Sequence, residues 1–199
     1  MNLEDYRTLF LVATLGLTLL AASPAVAVVL PEVGSERFSE FWLLGPDHMA
    51  DGYPFDVRAN EEYGVFVGVG NHMGDSEYYH VIVKFGNGTV SLPDVDGGVP
   101  SSLPPLHEYR FFVNNSGVWE SAVTFGYKNV VIEDDVLSVG ELIVDGVSFP
   151  VDVSAVWDSE RGGYFFELFF ELWRYDVESH SFGFHGQIVG IWLNMSRPQ

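Results

Sequence analysis

A chain of 199 residues in which 47% of the side chains are hydrophobic is long enough to bury a core as one domain. It contains no cysteine, which excludes a disulfide scaffold and any thiol chemistry. Its 28 acidic and 9 basic residues give a formal net charge of −19, which argues against nucleic acid and anionic lipid headgroups as partners.

The N-terminal segment is apolar. Residues 8–30 carry no charge, and this run exceeds the roughly 20 apolar residues that a helix needs to span a bilayer. A cleaved signal peptide fits the same run, because Ala25-Val26-Ala27 forms a small-residue cleavage site just after Pro24. Both interpretations place the rest of the chain outside the cytoplasm. We predict an anchor or signal segment over residues 1–30 and an extracytoplasmic domain over residues 31–199. The protein is then single-pass in the cell membrane, or secreted if the segment is cleaved.

The pattern that follows is typical of β-strands. Residues 38–44 form a short apolar segment that ends at Gly45-Pro46, as a first strand does. Residues 63–70 alternate between valine and mostly glycine, and the small residues predict a close approach by another backbone or a large aromatic ring. Residues 79–85 alternate again after a polar loop, which predicts the return strand of a hairpin.

The second half of the chain continues this pattern after a proline-rich loop at residues 91–106. Further strands are predicted over residues 107–113, 118–127, 164–175 and 187–195. Residues 129–157 surround the hairpin signal Asp145-Gly146, and we predict a hairpin elaboration there. For residues 164–175 a helix is the alternative, because Phe165, Phe169 and Leu172 also fit helical spacing, but the β-rich neighbouring segments favour a strand. About eight strands, with no long helical pattern beyond the apolar segment, predict an all-β fold. We expect an immunoglobulin-like two-sheet β-sandwich preceded by one N-terminal apolar helix, transmembrane or signal.

The 164–175 segment has two different faces. As a strand, it places four apolar side chains on one face: Phe166, Leu168, Phe170 and Leu172. The other face carries Phe165, Phe169, Trp173 and Tyr175 together with Glu167 and Glu171. If the 129–157 hairpin does not cover this second face, it forms an exposed apolar stripe and a surface for a partner.

Three motifs resemble a known family. They are Gly52-Tyr53-Pro54, Val67-Gly68-Val69-Gly70-Asn71-His72 and Tyr79-His80-Val81-Ile82-Val83. Together they are similar to an archaeal family of uncharacterised membrane proteins, the domain of unknown function 1616. The resemblance implies transmembrane segments followed by an immunoglobulin-like exterior domain, and no established activity. The family pattern has Asn-His-Glu where this chain has Asn71-His72-Met73.

Two groups of polar residues are candidate metal ligands. The denser group is His72, Asp75, Glu77 and His80, whose imidazole and carboxylate groups suit Zn²⁺. The alternative is a hairpin tip whose polar side chains cap its own backbone. Asp94 and Asp96 have part of the spacing of a calcium loop, without its bidentate glutamate. Weak Ca²⁺ binding there is the one cofactor interaction that the sequence suggests.

Asparagine residues supply the remaining candidates. Three acceptor motifs for N-glycosylation begin at Asn87, Asn114 and Asn194, and they support an exterior location. Asn87 lies in a Gly-Asn-Gly turn and is the best candidate of the three. Asn71 is predicted to be structural, with a side chain that completes the loop after the 63–70 strand.

No molecular function follows from these patterns alone. The chain has neither a nucleophile elbow nor a phosphate-binding glycine loop, so we predict no catalytic residue and no enzyme. The first hypothesis is a non-catalytic interaction or cell-envelope module that binds an envelope or surface-layer protein, or another copy of itself. The alternative is a module for divalent cations or glycans, and a hydrolase ranks third.

Overall fold

The computed structural model describes residues 6–7, 9–19, 36–89 and 92–195. The chain divides into two compact units, residues 1–37 and 38–199. In the first unit, residues 6–7 and 9–19 are helical and their side chains are exposed. Nowhere in the described part of the chain is a helix long and apolar enough to cross a membrane. The cleavage site at residues 25–27 and the boundary after residue 30 lie outside the described residues.

The second unit is built from β-strands. The described residues form ten strands: β1 Phe38–Leu44, β2 Asp56–Val57, β3 Glu62–His72, β4 Glu77–Asn87, β5 His107–Val113, β6 Val118–Glu133, β7 Val136–Val144, β8 Val147–Val156, β9 Tyr164–Asp176 and β10 Ser181–Met195. The first sheet has the order β1-β3-β6-β7-β8, and the second has the order β2-β10-β9-β4-β5. Strand pairing is antiparallel between all these neighbours except β2 and β10, which run parallel.

The two sheets share one hydrophobic core. Alternate residues of β3, β4 and β9 point inward because successive side chains of a strand leave on opposite faces. Rings from the two sheets meet in this core, where the centroids of Phe85 and Tyr127 lie 5.6 Å apart. Burial of such large side chains supplies most of the driving force for folding. The predicted all-β, two-sheet sandwich is confirmed.

The glycines of β3 allow one close approach that the sequence predicts. The indole ring of Trp42 on β1 lies over Gly68, and a Cβ at this glycine would overlap the ring. Trp42 also donates a hydrogen bond from Nε1 to Glu120 on β6, at 3.2 Å. The prediction that a large aromatic ring packs against the glycine face of this strand is therefore confirmed.

Residues 129–157, predicted as a hairpin elaboration, form the end of β6 and all of β7 and β8 in the first sheet. Asp145-Gly146 connects β7 to β8 with φ angles of 49° and 74°, which is typical of the predicted hairpin turn. On β8, Pro150 pairs with Glu141 beside a shift of register. Proline has no N–H to donate, and it is tolerated because this strand is at the edge of its sheet.

β9 and β10 form the centre of the second sheet. β9 is a strand, as predicted, and its inward side chains are fully buried: Phe166, Leu168, Phe170 and Leu172. β10 begins at Ser181, six positions before the predicted start at Gln187. The register with β9 shifts between Phe184 and Gln187, so the first part of the strand does not follow a simple alternation.

Candidate functional site

Four aromatic side chains lie side by side on the outer face of the second sheet, each from a different strand. The strand register produces this arrangement, because Phe112 of β5 pairs with Tyr78 of β4, and Tyr175 of β9 pairs with Phe182 of β10. The ring centroids of Tyr78 and Tyr175 are 6.1 Å apart, which joins the two pairs. We call Phe112, Tyr78, Tyr175 and Phe182 the aromatic row.

The rings of the aromatic row pack against one another and are partly open to solvent. Phe112 and Tyr78 stack with centroids 4.3 Å apart and an interplanar angle of 11°. Phe182 meets Tyr78 at 5.0 Å and Tyr175 at 5.3 Å. Phe112 is 73% exposed, whereas the other three are half-buried. Pre-ordered rings of this kind can contact a ligand at little cost in conformational entropy.

Charged groups lie next to the aromatic row. The guanidinium carbon of Arg110 lies 5.8 Å from the ring centroid of Phe182, within reach of a cation–π interaction. Arg110 also donates to Oε2 of Glu108 at 2.9 Å. His80 is buried with its edge against Phe182, and its Nε2 lies 3.1 Å from the same carboxylate oxygen. This histidine contact is close but lacks the alignment of a hydrogen bond.

Burial lowers the pKa of His80 below its ordinary value, and the nearby Arg110 acts in the same direction. Glu108 opposes both effects but does not outweigh them. His80 is therefore mainly neutral at neutral pH, so Arg110 is the cation that balances Glu108 beside the aromatic row.

The predicted apolar stripe of β9 is covered over most of its length. Glu171 is fully buried and forms an ion pair with Lys84 of β4, with Nζ and Oε2 2.9 Å apart. Ser101, in the loop between β4 and β5, donates its N–H to Glu171 and accepts a bond from Lys84 at its carbonyl. That loop, and not the 129–157 hairpin, thus lies over the middle of the stripe. Only the end with Trp173 and Tyr175 stays half open.

Each of the four metal candidates at the β3–β4 hairpin contacts a different residue. The candidates are His72, Asp75, Glu77 and His80. His72 lies 3.6 Å from a carboxylate oxygen of Glu40, and Glu77 pairs with Arg174 at 3.3 Å. The carbonyl of Asp75 accepts a bond from Asn71. The structure does not bring these four side chains together. Among the described residues, no group of three or more histidine, aspartate or glutamate side chains could hold a metal ion.

Asp94 and Asp96 lie in an exposed turn of the loop between β4 and β5. The backbones of Asp94 and Val99 exchange two hydrogen bonds, at 2.8 and 2.9 Å. Oδ1 of Asp94 accepts the N–H of Gly97 at 2.9 Å. The carboxylate that would begin a calcium loop is therefore engaged in closing its own turn.

Asn71 links two hairpins at one end of the sandwich. Its side chain is fully buried and donates to the carbonyls of Asp75 and Val113, both at 2.8 Å, while its Oδ1 accepts the N–H of Met73 at 2.9 Å. Its backbone N–H donates to the carbonyl of Gly117, and its carbonyl accepts the N–H of Ser116. One side chain thus fixes the β3–β4 turn to the β5–β6 turn.

A second polar cluster connects the two sheets. Ser39 of β1 lies 2.7 Å from the hydroxyl of Tyr79 and 3.0 Å from Nε2 of His185 on β10. Gln187 donates to the carbonyl of Ser39 at 2.8 Å. Burial lowers the pKa of His185, and the charge of Arg174 adds to this effect. Ser39 is 4% exposed, so its contacts form a buried polar link between the two sheets.

A cavity of about 290 Å³ opens near the end of β4. Its walls include Asn87, Ser154, Asp158 and Arg161, with the ring of Phe165 behind them. Arg161 lies 4.3 Å above the ring of Phe165, and its Nε donates to Asp158 at 2.7 Å. Hydrogen bonds and the charge of this arginine lower the pKa of Asp158. The charged groups of the cavity therefore satisfy one another.

The sequence pointed to one member of the aromatic row, Tyr175 of β9. It did not indicate the members on β4, β5 and β10. Tyr175 belonged to the predicted stripe, but no local pattern relates it to Tyr78, Phe112 or Phe182. Long-range strand pairing brings them together. The one available signal was the alternation of β4 and β5, which puts Tyr78 and Phe112 on the face opposite Tyr79 and Val113.

Distant likenesses to solved structures exist. A β-glucosidase from Listeria innocua in complex with glucose is 13% identical, with a TM-score of 0.33, over 60% of this chain and 16% of that chain. The ASH / PapD-like domain of human CEP192 is 8% identical over 85% of this chain and 96% of that chain, with a TM-score of 0.32. Spo0M, a sporulation control protein from Bacillus subtilis, is 11% identical over 81% and 91%, with a TM-score of 0.25. At these TM-scores, the likenesses carry no inference about function.

At the level of sequence, no curated protein matches the chain. A family model described as "Domain of unknown function (DUF1616)" matches residues 31–131, just over half of the chain. The match covers β1 to β5 and most of β6, and it includes Tyr78 and Phe112 of the aromatic row. The chain belongs to the DUF1616 family.

Proposed function

We propose that this protein is a non-catalytic interaction module of the cell envelope, held at the membrane by its N-terminal segment. Its immunoglobulin-like sandwich lies outside the cytoplasm and binds a protein partner through the aromatic row. The observation that carries the proposal is the open, ordered row of four rings across the outer face of the second sheet. Aromatic side chains are enriched in protein interfaces and often supply most of their binding energy.

The charge around the aromatic row favours a basic partner. Asp176 and Glu178 are exposed in the turn that joins β9 to β10, directly between Tyr175 and Phe182 in the chain. The whole chain carries a formal charge of −19, with only two lysines. Such a surface attracts partners with arginine and lysine side chains and speeds their association.

The rings of the row suit the same partner chemistry. Phe182 already has the guanidinium of Arg110 at 5.8 Å, so its face accepts a cation within this chain. An arginine of a partner can use the open part of the half-buried Tyr175 in the same manner. We therefore commit to an envelope protein that presents basic side chains as the occupant of the row.

Site-specific photo-crosslinking in the native cells tests this proposal with the full chain. A photoreactive phenylalanine analogue replaces Phe182 in one strain and Val131, 53% exposed on β6 of the other sheet, in a matched strain. We expect a covalent adduct with a basic envelope protein from the Phe182 position and none from the Val131 position. Equal adducts from the two positions, or none from Phe182, would overturn the proposal.

Two further outcomes separate the competing occupants. An adduct of twice the mass of the chain identifies self-association, and an adduct with polysaccharide identifies the glycan-binding alternative. The charge argument is tested by the double variant Asp176→Asn, Glu178→Gln. We expect a several-fold smaller yield of adduct. The control Asp134→Asn, Asp135→Asn makes the same change in net charge in the β6–β7 turn of the other sheet and leaves the yield unchanged.

A further inference from the structure

The three acceptor asparagines differ in what their amide nitrogens do. Asn194 is 8% exposed and donates from Nδ2 to Asp56 at 2.9 Å. Asn87 is half-buried and donates from Nδ2 to the carbonyl of Ser154 on β8, at 2.6 Å. In both residues, the nitrogen to which a sugar would be attached is held by the fold. The sequence alone favours Asn87, and the structure does not.

Asn114 is free to react. It is exposed in the tight turn between β5 and β6, where its carbonyl accepts the N–H of Gly117. Its Oδ1 accepts a bond from Ser76 at 3.2 Å, which holds the side-chain amide in place. Within the described residues, its Nδ2 donates to no partner. Ser116 supplies the hydroxyl two positions later that completes the acceptor motif.

Phe112 stands beside this asparagine. It precedes Asn114 by two positions and pairs with Tyr78 of β4, while Asn114, just past the end of β5, accepts a bond from Ser76, two positions before Tyr78. The ring is 73% exposed and is fixed by its stack on Tyr78, at 4.3 Å. A sugar ring has an apolar face of C–H groups, and an ordered aromatic ring gives that face a surface on which to bury apolar area.

We propose that Asn114 carries an N-linked glycan whose first sugar packs on Phe112. The acceptor nitrogen attacks the anomeric carbon of a sugar bound to a polyprenyl diphosphate. The N–C bond forms, the C–O bond to diphosphate breaks, the polyprenyl diphosphate leaves and the amide nitrogen loses one proton. This inference rests on the proposed extracytoplasmic location. The glycan occupies the β5 end of the aromatic row, and Tyr175 and Phe182 stay open to the protein partner.

Glycopeptide mass spectrometry of the full chain from its own cells gives the first test. We expect a sugar mass on the peptide with Asn114 and none on the peptides with Asn87 or Asn194. Asn114→Gln removes the modification, and so does Ser116→Gly, which keeps the acceptor and suits the φ of 60° at that position. A sugar on Asn87 or Asn194 instead of Asn114 overturns the proposal.

The packing on Phe112 has a separate readout. Enzymatic or chemical removal of the glycan is expected to lower the thermal midpoint of the wild-type chain by about 2–4 °C, a shift typical of one modest contact in a chain of this size. The same removal leaves the midpoint of Phe112→Ala unchanged. Val118→Ala, 63% exposed on the other side of the turn, keeps the full shift as the matched control. Equal shifts in wild type and Phe112→Ala overturn the packing.

Protease treatment of intact cells separates this inference from the proposed function. If the protease reaches the sandwich and Asn114 is unmodified, the glycan inference fails and the exterior location stands. If the protease reaches the sandwich only after the cells are opened, the proposed location fails, and the glycan inference fails with it.

Discussion

The fully buried side chain of Asn71 has a structural role, because it bonds backbone groups that water cannot reach. Its side chain replaces water for two carbonyls and one N–H that come from three different backbone positions. The hydroxyl of Tyr79 adds a longer contact at 3.4 Å. Buried polar groups are costly when unpaired, so the loss of this one side chain affects several partners together.

Replacement of Asn71 by alanine is therefore expected to lower the free energy of unfolding by about 3 kcal/mol, one unit of about 1 kcal/mol for each of three hydrogen bonds. Urea unfolding of the full chain measures it. Asn115→Ala is the matched control, because it removes a single exposed bond to the N–H of Gly74 and should cost less than about 1 kcal/mol. A loss below 1 kcal/mol for Asn71→Ala would show that water substitutes for the side chain.

At this scale, the sequence predicted the turn but not the partners of Asn71. The alternation that stops at His72 and the resemblance at Asn71-His72 both indicate a special position at the end of β3. Val113 lies 42 positions away, and no local rule relates a turn asparagine to a carbonyl at that distance. The metal hypothesis failed to gain support for a related reason. Three of the four candidates at this turn contact residues that are distant in the chain: His72 contacts Glu40, Glu77 contacts Arg174 and His80 contacts Glu108.

The loop between β4 and β5 packs on the outer face of the second sheet, and we call its residues 92–106 the strap. The loop is attached to the sheet through Ser101, whose N–H donates to Glu171 and whose carbonyl accepts from Lys84. Lys84 and Glu171 form a buried ion pair, with side chains 5% and 0% exposed. Two charges removed from water are stable only when each satisfies the other. The loop is thus held by a contact that tolerates the loss of both charges better than the loss of one.

A double-mutant cycle tests this account of the strap. Lys84→Met leaves a buried carboxylate and is expected to cost about 3–5 kcal/mol, whereas the double variant Lys84→Met, Glu171→Leu recovers most of that loss. Hydrogen exchange follows the amides of residues 92–106, including that of Ser101. We expect faster exchange in both single variants.

The exposed lysine supplies the control for this cycle. Lys128→Met removes the other lysine of the chain and should leave both stability and loop exchange close to wild type. If the double variant is as unstable as the singles, the ion pair contributes more than mutual neutralisation, and the strap is held by the charges themselves.

Elements with regular alternation were predictable, and those shaped by irregular pairing were not. β1 was predicted with its observed bounds, and Asp145-Gly146 located the turn between β7 and β8. The start of β10 was missed because the register shift between Phe184 and Gln187 interrupts the alternation. The strap was predicted as a plain loop, since a proline-rich composition does not indicate what a segment covers.

At the scale of the whole molecule, the buried His80 and the half-buried His185 set the response of stability to acid. Burial lowers the pKa of both His80 and His185 in the folded chain. The unfolded chain then binds protons first as the pH falls below the ordinary histidine value of about 6.5. The stability contributed by these groups is complete above that pH and is lost as the pH falls towards their lower folded pKa values.

Unfolding of the full chain at a series of pH values measures this loss. His185→Gln is expected to remove up to about one proton from the uptake that accompanies unfolding below pH 6.5, and the addition of His80→Gln flattens the profile further. His180→Asn, in the exposed turn between β9 and β10, keeps the wild-type slope. A slope that persists in the double variant would assign the acid sensitivity to carboxylates.

Each of the two sheets has one edge that resists pairing with other chains. β2 offers only two residues at one edge, and β8 carries Pro150, which has no N–H to give to an incoming strand. Long, regular edges act as templates for fibril growth, and neither of these does. Backbone pairing between neighbouring copies of the chain is therefore disfavoured at these two edges.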